Sequence, residues 1–510
     1  MDSLPRSFPT VVHMLQEAAQ EAGASEALVC ENERLTYADY QSCVAGFAHE
    51  LIDLGAAGKC VALLMGNSID LCIAMFGTHA AQAATVPLNP LYTERELRLI
   101  LADAQPHVLV HDALGAALAI PLANSLGIPH VINTGARRLD AWRGQDLALP
   151  TPLPQPDQLA SIQYTGGTTG RPKGVLLRHR TVAINIAQRE AVLPTRTDME
   201  RLLCVMPLFH VYASAMCLHN MVACRGTLVL VPRYQAETLL ELLVHERITI
   251  FAGSPTLFTS LMNSAAFVTA DFSTLHVSYS GSAALPEALF RRWEQASGAP
   301  VVEGYGQTES GPVISFNPLV GVRKPGSVGR PLPKTEVQIV DLVSGDVVLP
   351  VGERGEIRVR GPQVMDGYRN LPEETAASLR NGWLYTGDIG EFDTDGYLYI
   401  RDRKKEMVKV SGFNVFPREV EEVLYAHPTV LEAAVIGLPD AHKGEKVVGY
   451  VVLRRDARTD TGALLEYCRG QLAGYKIPSV IHIVDELPKT RVGKPDKLRM
   501  RDMGMSPQKG

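Results

Sequence analysis

The chain has 510 residues, of which 46% are hydrophobic and 20% charged, and its formal net charge is −6. That length predicts more than one domain, and the acidic balance excludes the broad basic field of a nucleic-acid-binding protein. The eight cysteines form neither a C-x-x-C pair nor a zinc-like cluster, which predicts reduced thiols that mostly fill the core. The chain carries no secretory signal and no apolar run near the ~20 residues of a membrane span. We therefore expect a soluble, cytoplasmic protein.

Residues 1–150 alternate helical stretches with short runs that are typical of buried strands. The runs are CVALLMG (60–66), AATVPLN (83–89) and HVLVHD (107–112). This alternation predicts an α/β unit with a largely parallel sheet. The proline-rich segment 147–158 then predicts a linker.

A second α/β unit is expected over residues 159–320, and a small β-unit over 321–403. In the β-unit, short strands broken by Gly and Pro at 335–361 indicate hairpins. The charged stretch RDRKKE (401–406) looks like a junction, so we place a smaller α+β domain at 404–510. The strands predicted in the second unit and the last domain are 226–232, 248–253, 276–281, 431–438, 446–453 and 480–487, and the helices of the last domain are 417–427 and 463–472.

The stretch YTGGTTGRPKG (164–174) combines four glycines, three threonines and a lysine. Backbone N–H groups, hydroxyls and the Lys173 ammonium suit a polyphosphate, although such clusters are also typical of a flexible surface loop. The P-loop pattern fails because Lys173 follows Pro172 and precedes Gly174. The flanks LASIQY (159–164) and GVLLRH (174–179) predict two strands, with a helix beginning only near Thr181.

Four further segments place charged residues in turns. They are EGYGQTE (303–309), WLYTGDIG (383–390), DRKKEMVKVSGFNVFPREVE (402–421) and LPKTRVGKPDK (487–497). Taken singly, an acid or a lysine in a turn is more often merely solvated than functional.

In this order the motifs resemble the adenylate-forming superfamily of acyl-CoA synthetases, luciferases and adenylation domains. The chain is most similar to the bacterial fatty-acyl-CoA synthetases, in forms such as YTGGTTG, GPQVM…GY, DRKK, VSGFNVFP and ELPK…VGK. The resemblance covers nearly the whole chain. It implies an α/β fold with a large N-terminal domain of two layered α/β subdomains plus a small β-unit, followed by a small mobile α+β domain.

The resemblance also implies an ATP and Mg²⁺ site. The glycine-threonine loop would close over the β- and γ-phosphates, Tyr305 would stack on adenine, and Asp388 and Arg403 would bind the ribose. Glu309, with Thr168, would bind Mg²⁺, a cation that prefers oxygen ligands. The residues so implicated in binding ATP are Thr165, Gly166, Gly167, Thr168, Thr169, Gly170, Lys173, Gly281, Ser282, Ala283, Glu303, Gly304, Tyr305, Gly306, Gln307, Thr308, Asp388, Arg403 and Lys494.

Four positions match the parts of the family that change between its two reactions. Lys494 would serve adenylate formation, and Lys409 would serve thioester formation after the small domain rotates about Lys405. His210, in MPLFHVYAS (206–214), matches a histidine that gates the pantetheine tunnel, although alone it would be read as a packed histidine. The segment implied to line the approach of coenzyme A includes Lys409, Ser411, Gly412 and Phe413.

The acid itself is less closely defined. The segments expected to line its pocket, 210–216, 253–257 and 280–284, are small and apolar, which suits a medium or long alkyl chain but also admits an aryl or arylpropenoyl acid. An acyl-AMP ligase that serves a carrier protein is disfavoured by the intact VKVSGFNVFP segment. A non-catalytic nucleotide-binding protein is disfavoured because no expected catalytic residue is missing. We expect a small-molecule acid as partner, no nucleic acid and no transmembrane segment, and leave open peripheral membrane contact and a monomer or homodimer.

Overall fold

A computed structural model describes residues 4–136, 138–165, 172–283, 285–440, 442–455, 457–490 and 494–505. Within them the chain forms four β-sheets with helices packed against them. Short 3₁₀ helices lie at Leu139–Trp142, Ala265–Thr269, Thr308–Ser310 and Gly474–Lys476.

A six-stranded sheet forms most of the first part of the chain. Its strand order is β6-β5-β3-β4-β7-β8, and all neighbours are parallel except the antiparallel pair of β7 and β8. The largely parallel sheet expected from the sequence is therefore confirmed. The elements up to β8 are α1 (Val11–Ala22), β1 (Glu26–Cys30), β2 (Glu33–Thr36), α2 (Tyr37–Asp53), β3 (Cys60–Leu64), α3 (Ile69–Ala80), β4 (Ala84–Leu88), α4 (Glu94–Ala104), β5 (Val108–His111), α5 (Ala116–Leu126), β6 (His130–Asn133), β7 (Leu159–Thr165) and β8 (Lys173–Arg178).

A nine-stranded sheet follows, in the order β15-β14-β13-β12-β11-β9-β10-β1-β2. Its middle strands are parallel, with antiparallel neighbours at both edges. Its further elements are α6 (His179–Glu190), β9 (Arg201–Cys204), α7 (Val211–Ala213), a π-helical segment (Ser214–His219), α8 (Asn220–Ala223), β10 (Thr227–Leu230), α9 (Ala236–His245), β11 (Ile250–Gly253), α10 (Pro255–Asn263), β12 (Val277–Ser280), α11 (Glu287–Ser297), β13 (Val301–Gly306), β14 (Val313–Phe316) and β15 (Arg330–Pro331).

Each of the two large sheets includes two strands from the other side of the proline-rich segment 147–158. β1 and β2, near the N-terminus, join the nine-stranded sheet, whereas β7 and β8 join the six-stranded one. Helix α3 is buried along its whole length and contacts strands of both sheets, as its almost continuous apolar sequence requires. The core therefore lies between the sheets, and the domain limits expected from the sequence stay predictions.

The small β-unit and the last part of the chain follow the predicted pattern of hairpins and then mixed α and β elements. The first has β16 (Glu336–Val340), β17 (Gly355–Arg360), α12 (Pro372–Ser378), β18 (Leu379–Arg380), β19 (Trp383–Phe392) and β20 (Leu398–Arg403). The second has β21 (Val408–Val410), β22 (Phe413–Val415), α13 (Pro417–Ala426), β23 (Val430–Asp440), β24 (Gly444–Leu453), α14 (Thr461–Gln471), β25 (Val480–Ile483) and α15 (Lys497–Met505).

The fold also bears on the cysteines and on membrane-spanning helices. All eight cysteines lie among the described residues as free thiols, and seven of them are buried, as predicted. No helix in the described ranges combines the length and the apolar composition needed to cross a bilayer.

Candidate active site

Asp388 lies at the centre of the candidate site. It sits on β19, directly opposite Arg403 on the antiparallel strand β20. Its Oδ2 accepts a hydrogen bond of 2.6 Å from the Tyr305 hydroxyl, and its Oδ1 lies 3.4 Å from Nε of Arg403. Burial raises the pKa of Asp388, while Arg403 and Tyr305 act in the opposite direction. Three residues that the sequence separates by up to 98 positions are thus brought together by adjoining strands.

Lys494 reaches the same place from the C-terminal part of the chain. Desolvation and the nearby Arg403 lower the pKa of its ammonium to about 8, although Asp388 and Glu406 act to raise it. Lys494 is hydrogen-bonded to Thr490, whose N–H donates to the Lys494 carbonyl at 2.7 Å. The Lys494 N–H donates in return to the Thr490 hydroxyl at 3.2 Å. The lysine is therefore held by Thr490, within electrostatic range of Asp388 and Arg403.

His210 lies within electrostatic range of Lys494. It precedes α7, and its Nδ1 accepts a hydrogen bond of 3.2 Å from the Tyr212 N–H. Burial and the Lys494 charge lower the pKa of His210 to about 4. The imidazole is consequently neutral at physiological pH.

Glu309 lies beside the end of the glycine-threonine loop. Its Oε1 accepts a hydrogen bond of 2.8 Å from the Tyr368 hydroxyl, and the Lys173 ammonium lies 5.0 Å from the centre of the Tyr368 ring. Thr165 and Lys173 are paired across β7 and β8. The loop residues Gly166, Gly167, Thr168, Thr169 and Gly170 lie outside the described residues, so the expected role of Thr168 stays a prediction.

Among the described residues, no group of three or more His, Cys, Asp or Glu side chains is arranged to hold a metal ion. The partly exposed carboxylate of Glu309, beside a lysine and a tyrosine, fits a cation whose other ligands are phosphate oxygens and water.

Glu303 is placed differently from its neighbours in the same motif. It is buried, and its Oε1 accepts a hydrogen bond of 3.1 Å from the Leu285 N–H. Burial raises its pKa to about 7, against the hydrogen bonds of the Leu285 and Gly326 amides. Glu303 therefore holds the backbone of Leu285, shortly after the end of β12.

The other predicted ATP-binding residues of these two motifs lie at or near the ends of β12 and β13. Ser282 has a left-handed backbone, with φ of 70°, and a Cβ on Gly281 would stand 2.7 Å from the Tyr212 ring. Gly304 and Gly306 end β13, while Gln307 donates to the Thr386 carbonyl at 3.5 Å. Ala283 and Thr308 belong to the same two turns. The backbone brings both predicted adenine segments to the ends of adjacent strands.

The hairpin of β21 and β22 carries the residues expected to meet coenzyme A. Lys409 and Phe413 are exposed, and Ser411 and Gly412 form the turn with φ of 50° and 87°. The contacts described for this hairpin are within the C-terminal part, such as the Lys409 N–H donating to Glu445 at 2.6 Å. Lys405 is exposed in the turn before the hairpin. Lys494 is the lysine whose charge interacts with Asp388 in this arrangement.

Sequence reasoning missed Tyr368 and Thr386, which hold Glu309 and Asp388. The Asp388 N–H donates to the Thr386 hydroxyl at 3.1 Å. Tyr368 stands in the GPQVM…GY form that supported the resemblance, so its position was visible although its role was not. Arg418 was missed too; its guanidinium donates to the Ile400 carbonyl at 2.6 Å.

Two comparisons with known sequences agree with this geometry. Residues 15–369 match the family described as AMP-binding enzyme, and residues 419–494 match its C-terminal domain. A long-chain-fatty-acid–CoA ligase of Bacillus subtilis (strain 168) is 36% identical over 96% of this chain and 94% of that protein. A long-chain-fatty-acid–CoA ligase of Yersinia pestis is 36% identical over 98% of this chain and 95% of that protein.

Solved structures give the same result. ATP-bound MatB from Rhodopseudomonas palustris has a TM-score of 0.90 and 31% identity, over 97% of this chain and 98% of that one. The anthranilate CoA ligase AuaEII in complex with anthranoyl-AMP has a TM-score of 0.91 and 28% identity, over 98% of each chain. The protein belongs to the AMP-binding enzyme family.

Proposed function

We propose that the protein is an AMP-forming carboxylic acid:CoA ligase whose acid is a medium- or long-chain fatty acid. The observation that carries the proposal is that Lys494 lies within electrostatic range of Asp388 and Arg403, about 90 to 106 positions earlier in the chain. A lysine desolvated beside a ribose-binding pair suits stabilisation of charge at an α-phosphate. The fatty-acid names of the curated relatives support the choice of acid.

The chemistry follows from the weakness of a carboxylate as an acyl donor. One carboxylate oxygen attacks the α-phosphorus of ATP, pyrophosphate leaves, and an acyl adenylate forms. The thiolate of coenzyme A then attacks the acyl carbonyl and AMP leaves. Lys494 stabilises negative charge in the first step, while Asp388 and Arg403 orient the ribose.

Mg²⁺ would be held by Glu309 and the phosphates, and when bound it supplies neutralisation of phosphate charge. Lys173, beside Tyr368 at the end of the loop, adds a second cation for the leaving pyrophosphate. His210 is neutral, so it borders the acyl site without adding charge next to Lys494. We propose that Lys409 takes the place of Lys494 in the second step, after the C-terminal domain rotates about Lys405.

The test is pyrophosphate release over straight-chain fatty acids from butyrate to stearate and over aryl acids, each with and without coenzyme A. We expect activity on chains longer than about six carbons and a KM that falls with length, since each buried CH₂ contributes about 0.8 kcal/mol. The likeness to the anthranilate ligase makes an aryl acid the second candidate. Aryl acids that outperform every fatty acid would replace the first proposal with the second.

A further inference from the structure

A small internal cavity lies between α3, β7 and the helical segment that follows His210. Its free space of about 20 Å³ is room for about one water-sized group. Part of its lining is apolar, but six polar side chains also line it: His79, Thr85, Ser161, Gln163, Ser214 and His219. No Asp, Glu, Lys or Arg is among the residues that line it.

Two of these side chains are buried with unused hydrogen-bonding atoms. His219 is 4% exposed, and neither of its ring nitrogens has a hydrogen-bond partner among the described residues. His79 is 3% exposed, and its Nδ1 is likewise unpartnered within those residues. Buried polar atoms are nearly always hydrogen-bonded in native proteins. The two histidines therefore point to a group that the protein itself does not supply.

The same histidines are neutral. Burial lowers the pKa of His219 to about 3 and holds that of His79 well below its ordinary value. A neutral imidazole presents one N–H donor and one acceptor nitrogen. Such a site matches a hydroxyl, which donates and accepts, or a keto oxygen, which accepts. It does not match a carboxylate or an ammonium, since no charged side chain lines the cavity to balance one.

Two of the segments that line the cavity lead directly into parts of the candidate active site. Val211, Ser214 and Ala215 line it from the segment that begins after His210. Ser161 and Gln163 line it from β7, the strand that runs into the glycine-threonine loop. Ser214 and His219 are the first and last residues of the π-helical segment, a form that is rare in proteins and frequent at functional sites.

We infer that this cavity receives an oxygen-bearing group on the acyl chain, so that the preferred acid is a hydroxy- or oxo-fatty acid. This inference rests on the proposed function, because it assigns the chain of the acid that the site activates. His219 and His79 are the residues that select the oxygen. A plain alkyl chain would leave both of them unpartnered or would have to retain a water in the cavity.

The first experiment measures kcat/KM for pyrophosphate release with the wild-type protein. Its substrates are one unsubstituted fatty acid and derivatives of the same length that carry a hydroxyl or keto group at successive positions. A site built to bind an oxygen discriminates against the analogue that lacks it. We expect at least one derivative to exceed the plain acid by about tenfold or more.

The second experiment compares His219→Leu with the matched control His111→Leu. His111 is also buried and has an unpartnered Nε2 within the described part of the chain, but it ends β5 and does not line the cavity. We expect His219→Leu to lower the ratio of kcat/KM for the preferred derivative to that for the plain acid by about tenfold, mainly through KM. His111→Leu should leave that ratio within about twofold of wild type, as expected away from the site.

The outcomes separate the two proposals. If plain acids are turned over and no derivative is preferred, the cavity holds water only and the inference is wrong, while the proposed function stands. If no acid of any kind releases pyrophosphate, both are wrong. An unchanged ratio in His219→Leu overturns the inference, and should that variant fail to fold, the ratio in His79→Leu decides in the same way.

Discussion

The Tyr305 hydroxyl donates a 2.6 Å hydrogen bond to Asp388, across 83 positions of sequence. It uses one carboxylate oxygen and leaves the other next to Arg403. This hydrogen bond fixes the Asp388 carboxylate, which is proposed to bind both ribose hydroxyls. Tyr305 thus has a positioning role in addition to the stacking role implied by the family.

Replacing Tyr305 by Phe tests this relationship. The change keeps the ring but removes the hydrogen bond, whose loss costs about 1 kcal/mol, so we expect KM for ATP to rise about fivefold with a smaller change in kcat. The matched control is Tyr385→Phe, because Tyr385 lies on the same strand as Asp388 and donates instead to the Gly345 carbonyl. Equal KM values for the two variants would remove Tyr305 from the positioning of Asp388.

The second prediction concerns Glu309→Gln. If Glu309 holds Mg²⁺, loss of its charge should slow adenylation by roughly 10²-fold or more, most severely at limiting Mg²⁺. Tyr368→Phe is the comparison, since it removes only the hydrogen bond to the carboxylate and should have a much smaller effect. Adenylation by Glu309→Gln that equals wild type at limiting Mg²⁺ would contradict the metal assignment.

The third prediction separates the two half-reactions. Lys494→Ala should slow acyl-adenylate formation by roughly 10²–10³-fold but leave thioester formation from supplied acyl adenylate largely intact. Lys409→Ala should do the reverse, because Lys409 is proposed to replace Lys494 in the second step and its side chain is exposed on the hairpin of β21 and β22. Single-turnover kinetics of each half-reaction measure both variants. Equal effects on both half-reactions from either lysine would exclude the assignment of one lysine to each step.

The fourth prediction is a pH dependence. The pKa of Lys494 is lowered to about 8, so the charged form that stabilises the α-phosphate is present below that pH and is lost as pH rises through it. We expect kcat/KM for ATP to fall above about pH 8, the profile that reports groups of the free enzyme. Lys494→Arg keeps its charge at these pH values and should lose that limb of the profile. A limb that persists in Lys494→Arg belongs to another group.

Local residue patterns were sufficient to predict the strands on each side of the glycine-threonine loop and the largely parallel sheet. Those features depend on local periodicity and turn residues, which any single sequence displays. The exchange of β1 and β2 into the nine-stranded sheet was not predicted, because nothing local to Glu26–Cys30 encodes its pairing with β10.

The polar cavity was not predicted for a similar reason. The pocket segments looked small and apolar when read as segments, whereas His79, Gln163 and His219 come from three separate elements. Each of them alone is indistinguishable from a packed core residue. Only the distances between elements show that they surround one space.

The desolvation of Lys494 makes its proton affinity depend on the proposed arrangement of the domains. In the present arrangement the pKa of Lys494 is about 8, against an ordinary value of 10.5. When the proposed rotation carries Lys494 into solvent, its amine regains its ordinary affinity for a proton. Between these two pH values each outward rotation would therefore take up a proton from the buffer and each return would release it, so that each rotation is coupled to buffer protonation while a complete turnover leaves the proton balance unchanged.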